Sequence, residues 1–171
     1  MGIRKNQSQL TDAEWGAFVD AISATHGTTV AAPRYRDFVK VHVRAMTTMT
    51  GMSWGVHSMP SMGVTGVHFL AWHRQFLLRL EKRLQAVHPS VTIPYWNATV
   101  DRRIPAHLAD PALLDRWSVD RDDKFHPHLL PSQGQVDAAL ALGPLEAFQP
   151  ALEGLHAGVH NAVGGDMGQA Q

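Results

Sequence analysis

Apolar side chains recur along this chain at steps of three and four, the spacing of helical faces, in stretches separated by Gly- and Pro-rich connections. Thr11, Asp12, Ala13 and Glu14 form a capping-box pattern, and Trp15, Phe18, Val19 and Ile22 follow at helical spacing. This predicts a first helix over 11–24, ended near Gly27. Pro33 opens a second, with Tyr35, Phe38, Val39, His42, Met46 and Met49 on its apolar face. Residues 50–67 hold Gly51, Gly55, Pro60, Gly63 and Gly66 and are expected to be a loop. A third helix carries His73, Leu77, Leu80, Leu84 and Val87 on one stripe, with Arg74, Glu81, Lys82 and Arg83 largely off it. Pro89 ends that helix, and Ile93-Pro94-Tyr95-Trp96 reads as a short extended piece. Residues 97–135 are expected to be irregular, with at most a short helical turn near 111–117. A further helix is expected over 135–142. The last is expected to begin at Pro150, a good first-turn residue, and to run to Val163 before Gly164-Gly165.

The pattern therefore gives a mainly α fold with long irregular connections, and neither a repeat nor a linker divides residues 1–171 into more than one domain. Fifteen Lys and Arg balance fifteen Asp and Glu, so the basic field of a nucleic-acid binder is absent. No cysteine occurs, which removes disulfides and thiol catalysis. Met1 to Leu10 is polar, unlike a secretory signal, and no run reaches the roughly 18 apolar residues of a membrane helix. These features lead to the expectation of a soluble, cytoplasmic protein with no membrane or nucleic-acid partner.

The eleven histidines then change the picture. Without thiolates, a transition metal must be held by imidazole or carboxylate, a donor set that suits copper, zinc, iron or nickel. His42 and His73 fall within the apolar stripes of consecutive helices. Either alone reads as a core histidine bonded to a backbone carbonyl, but two on facing helices fit a metal site. His156 and His160 stand at i and i+4, so they can chelate one ion from one helix face or form a solvated helix edge. Gly154 and Gly158 on that helix would permit close approach of another helix or a substrate. His57 and His68 lie in or at the end of the Gly-rich loop, where either could be delivered to His73. His26, His88 and His107 neighbour turns or prolines and read as surface residues, and His126-Pro127-His128 reads as a solvated loop.

Phe69-Leu70-Ala71-Trp72-His73-Arg74-Gln75-Phe76-Leu77, followed by a helix and then Ile93-Pro94-Tyr95-Trp96, resembles the first copper motif of tyrosinases. Leu152-Glu153-x-x-His156-x-x-x-His160-x-x-Val163-Gly164-Gly165-x-Met167 resembles the start of the second. The likeness covers roughly residues 33–168 and keeps the family's motif order. The family comprises tyrosinases, catechol oxidases, o-aminophenol oxidases and the molluscan oxygen carriers. The resemblance implies an antiparallel four-helix-bundle core holding two copper ions, each on three histidines, with O2 as co-substrate and a small phenolic substrate. By position His42 resembles the first ligand of the first copper and His73 the third. The family's usual place for the second ligand is Val64 here, so His57 and His68 compete for it, with His57 preferred for its distance from His42. His156 and His160 resemble the first two ligands of the second copper.

Ala157 stands where many tyrosinases have an asparagine that helps deprotonate a monophenol. This implies weak monophenol hydroxylation and favours oxidation of o-diphenols or o-aminophenols to quinones. Asn161 is a candidate partial substitute, with Glu146 or Glu153 as the associated acid. The family's remaining ligand lies in a downstream Asp-Pro-x-Phe…His-His segment that these residues do not contain. A second chain or C-terminal fragment is therefore expected to complete the second copper site, with His126 or His128 as the substitute within the chain. A copper chaperone is a further candidate partner. The alternatives are an O2-binding protein without turnover, and a mononuclear zinc protein built on His156 and His160.

Overall fold

Hydrogen-bonded side-chain caps set where three of the six described α-helices begin, at Thr11, Asp110 and Ser132. In a computed structural model describing residues 2–27, 31, 33–47, 56–58 and 66–167, the Thr11 hydroxyl accepts from Glu14 N while the Glu14 carboxylate accepts from Thr11 N. Helix α1 (Asp12–His26) starts there, as the capping-box pattern predicts. Helices α2 (Tyr35–Thr47), α3 (Phe69–Gln85), α4 (Pro111–Trp117), α5 (Gln133–Leu140) and α6 (Leu145–Val163) follow. The described residues contain no strand, only an isolated parallel bridge between Asn6 and Tyr95. None of their helices is long and apolar enough to cross a membrane. The fold is mainly helical, as the periodicity implies.

α1 packs on both α2 and α3, α3 packs on α6, and α5 packs on α6. Trp15, Phe18, Ala21 and Ile22 of α1 meet Leu84 of α3 and Val91 in one buried cluster. The apolar stripe of α1 thus becomes the platform that fixes α3, whose second turn carries His73. A second cluster, Ala98, Leu130 and Ala162 with Trp96, Phe125 and Val159 around it, seats the end of α6.

Several elements differ from expectation for identifiable reasons. Glu81, placed off the apolar stripe, is only 8% exposed. Its carboxylate accepts from Arg4 Nε at 2.8 Å and from Ile93 N at 2.9 Å, contacts from distant residues that helical spacing cannot reveal. The 93–96 piece is extended, and the N-terminal segment runs beside it through Gln7 N to Tyr95 O and Tyr95 N to Lys5 O. Val39 is 45% exposed although it neighbours the buried Phe38. Met49 lies outside the described residues. α5 starts two residues before the expected 135, where Ser132 and Gln135 form a capping box.

The largest difference is α6, which starts at Leu145 instead of Pro150, with Pro144 in the cap position and Pro150 inside the helix. Pro144 O accepts from Ala147 N and Phe148 N, closing the first turn ahead of Pro150. The buried Gln149 side chain then ties that turn to α3, accepting from Leu70 N at 3.5 Å and donating to Val67 O at 3.2 Å. These bonds outweigh the donor that Pro150 lacks.

Candidate metal centre

Five histidines from three helices and one connecting segment come together. α2 supplies His42, the segment 56–58 supplies His57 and α3 supplies His73. One ring nitrogen from each of these three lies within 4.8 Å of the other two. His42 Nε2 and His73 Nε2 are 3.3 Å apart. On α6, His156 Nε2 and His160 Nε2 are 2.8 Å apart. The two groups adjoin, with the ring centroids of His73 and His156 separated by 5.9 Å. Phe69, buried at the start of α3, touches His57, His73 and His156 with centroid distances of 5.3, 4.4 and 5.3 Å. One phenyl ring therefore walls both groups.

The second nitrogen of each ring shows what the first can do. His73 Nδ1 lies 2.7 Å from Phe69 O and His160 Nδ1 lies 2.7 Å from Met167 O. A carbonyl oxygen only accepts, so both Nδ1 atoms carry the proton, and in the Nδ1–H tautomer Nε2 presents a lone pair. His57 Nδ1 lies 3.2 Å from Glu153 Oε1, which fixes the same tautomer. Its buried Nε2 has no hydrogen-bond partner in the protein. Facing lone pairs repel unless a proton or a shared cation lies between them, so the arrangement suits a cation on each side.

Charge state agrees with this. Burial, reinforced by the imidazoles of His57, His73 and His160, lowers the His42 pKa to about 4. Burial and then His160, His73, His57 and His42 lower that of His156 to about 4. Burial also depresses the His73 pKa, partly offset by its bond to Phe69 O. These rings are neutral near pH 7, the form that ligates metals. Burial acts to raise the Glu153 pKa, but hydrogen bonds from His57 and Ser58 outweigh it and hold the carboxyl below the ordinary glutamate range. Glu153 is therefore ionised where it meets the His57 ring.

The other residues singled out by sequence are distributed as follows. His68 is exposed at the cap of α3 and lies outside the three-histidine group, so it is His57 that sits beside His42 and His73. Val64, the family's usual position for that ligand, lies outside the described residues. Glu146 is exposed two turns before Glu153 and lines a shallow cavity of about 110 Å³ with Gly66, Val67, Leu145, Gln149 and Pro150. Asn161 and Ala157 are exposed. Glu153, expected as an acid near Asn161, instead meets His57 and Ser58 N, the latter at 2.7 Å. Gly154 faces open space, and the close approach at Gly158 is made by Leu129 O, at the end of a short 3-10 helix over Pro127–Leu129. His126 bonds through its backbone N to Ala162 O, and its ring contacts His128. Gln149 was not singled out. Its signal was available, since Glu146, Gln149, Glu153, His156 and His160 follow one another at steps of three and four.

The donor set fits copper: imidazole nitrogens, one of them buried and unpartnered, with no thiolate present. His42, His57 and His73 lie close enough to share one metal ion, and His156 and His160 adjoin them. Comparison with known proteins points the same way. The sequence model described as the common central domain of tyrosinase matches residues 32–137. A tyrosinase of Streptomyces lincolnensis is 39% identical over 147 residues, covering 85% of this chain and 47% of that protein. A tyrosinase of Streptomyces galbus is 30% identical over 214 aligned positions, covering 98% of this chain and 74% of that protein. The grixazone synthase of Streptomyces griseus is 38% identical over 104 residues, 58% of this chain and 30% of its own length. The chain thus spans about half of the Streptomyces lincolnensis tyrosinase and about three quarters of the Streptomyces galbus one. Together with the histidine geometry, these likenesses establish that the chain belongs to the tyrosinase family.

Proposed function

We propose that this chain takes part in the copper-dependent oxidation of o-diphenols or o-aminophenols to quinones or quinone imines, with dioxygen reduced to water. The observation that carries the reading is the meeting of five histidines in two adjoining groups, with the outer nitrogens of three of them tied to oxygen acceptors. When bound, copper supplies the electron transfer to dioxygen that no side chain here provides. His42, His57 and His73 hold one ion, while His156 and His160 give two donors to the other. A third donor to the second ion would come from a further segment or a second chain.

The protein's own part is orientation and exclusion. Phe69 closes one side of both histidine groups, and the carbonyls of Phe69 and Met167 keep two rings turned with Nε2 inward. Ala157 offers no polar atom to deprotonate a phenol, and Asn161 is exposed. A substrate that already carries two ortho donors is therefore favoured over a monophenol.

The test is oxygen uptake by copper-loaded protein supplied with catechol, 2-aminophenol or tyrosine. Uptake with the first two and a slower rate with tyrosine is the expected result. Reversible dioxygen binding without catechol turnover would instead identify a carrier, and one tightly held zinc per chain a mononuclear zinc protein.

A further inference from the structure

Glu153 belongs to α6, the helix of His156 and His160, yet its carboxylate reaches across to the other histidine group. Oε1 accepts from Ser58 N at 2.7 Å and lies 3.2 Å from His57 Nδ1. Glu153 is 8% exposed and His57 9% exposed, so water offers no substitute for these bonds. Oε2 is buried without a hydrogen-bond partner, and the backbone of Gly66 presses close to it. A β-carbon at residue 66 would stand 2.7 Å from Oε2 and 2.7 Å from Ser58 Oγ. Gly66 N in turn donates to Ser58 Oγ at 2.9 Å. One carboxylate thus fixes the ring of His57, the backbone beside it and, through Ser58, the backbone leading into α3.

We infer that Glu153 is a positioning residue for His57: it holds the ring as the Nδ1–H tautomer with Nε2 aimed at His42 and His73, and so makes the first histidine group depend on the helix that carries the second. The inference rests on the reading that His57 is a metal ligand. His42 and His73 sit on α2 and α3 and have helical backbones to direct them, whereas His57 comes from a short irregular segment. With no helix beneath it, its direction has to come from a side-chain contact. A carboxylate also makes the ring a stronger donor than a carbonyl would, because negative charge at Nδ1–H raises the basicity of Nε2. The two groups are therefore not independent sites that happen to adjoin. A displacement of α6 that left His42 and His73 untouched would still turn His57 away.

The experiment uses the full chain with Glu153→Leu, Glu153→Gln and Glu153→Asp. Long-range proton–nitrogen correlation of the imidazoles, recorded without metal, reads the tautomer of His57 directly. Copper(I) titration against a competing chelator reads the affinity of each group. The wild type is expected to show Nδ1–H at His57. Glu153→Leu is expected to convert it to a mixture with Nε2–H and to weaken the three-histidine group by roughly 10–100-fold, with His156 and His160 unchanged. Glu153→Gln keeps an acceptor and is expected to retain the tautomer and recover most of the affinity. If the leucine variant does not fold, Glu153→Asp, one methylene shorter, is expected to show the mixed tautomer in a folded protein. An unchanged His57 tautomer in the leucine variant, or in the aspartate variant where that is the folded one, overturns the inference, as does copper affinity within about twofold of wild type. A wild type that binds no copper at the histidines refutes the proposed function instead, and the tautomer measurement still decides the role of Glu153.

Discussion

An imidazole ring has two nitrogens, and what binds the outer one decides what the inner one can do. Carbonyls hold His73 and His160, and a carboxylate holds His57, so these rings present bare Nε2 atoms. Crowding five such rings has a consequence at acid pH. An unfolded histidine titrates near 6.5, whereas His42 and His156 titrate at about 4 in the fold, chiefly through burial and then through neighbouring imidazoles. Between those values the unfolded chain binds more protons than the folded one. The metal-free protein should therefore lose stability as pH falls from about 6.5 to about 4, while these two groups add no pH dependence above that window. Melting temperatures at pH 7.5, 5.5 and 4 check this, and His156→Gln should flatten the decline. A slope confined to pH above 7 would contradict it. A second prediction concerns Gly66, where an added methyl would meet Ser58 N at 2.8 Å as well as two side-chain oxygens. Backbone on both sides must then move, and Gly66→Ala should weaken copper at His42, His57 and His73 by about tenfold while sparing His156 and His160. Equal weakening at both groups would show a general loss of structure instead.

At the scale of elements, α6 combines two faces that the sequence presents unequally. Leu152, Leu155, Val159 and Val163 mark an apolar stripe that spacing reveals at once. Beside it Glu146, Gln149, Glu153, His156 and His160 form a polar stripe with buried members, and polar residues are ordinarily read as solvent-facing. His42 and His73 were legible because each interrupts an apolar face at helical spacing. His57 could be preferred to His68 only for its distance from His42, since a loop has no period to say which residue turns inward. Glu81 was misplaced because its partners, Arg4 and Ile93, are far from it in sequence. Pro150 was misplaced because a first-turn proline and an interior one look alike until the turn before them is seen. Inside α6 it leaves Glu146 O without its intrahelical donor. Pro150→Ala should restore that bond and stabilise the fold by about 1–3 kcal/mol, read as a higher urea midpoint with an unchanged slope. A lower midpoint would mean that the proline acts mainly by restricting the unfolded chain.

At the scale of the whole molecule, the histidine centre joins parts of the chain whose described buried apolar residues fall in two separate clusters. α1, α3 and the 91–93 segment are held by the cluster around Trp15 and Leu84, while the end of α6 is held by a separate cluster around Ala162. Between them stand Phe69, the Gln149 bonds to the start of α3, and the histidines themselves. Ions bound there would act as cross-links between two cores, because their donors come from α2, the 56–58 segment, α3 and α6. Metal that binds only the folded chain stabilises it by RT ln(1 + [L]/Kd), about 4 kcal/mol at a thousandfold excess over Kd. Copper loading should therefore raise the unfolding free energy by about that amount, and a chelator should return it to the metal-free value. The gain should be cooperative across the molecule. Hydrogen exchange should slow in α6 and in the first turn of α3 together, because each histidine group is anchored partly by the other's helix. Protection confined to α6 would show that the two groups load separately, and would remove the cross-link between the cores.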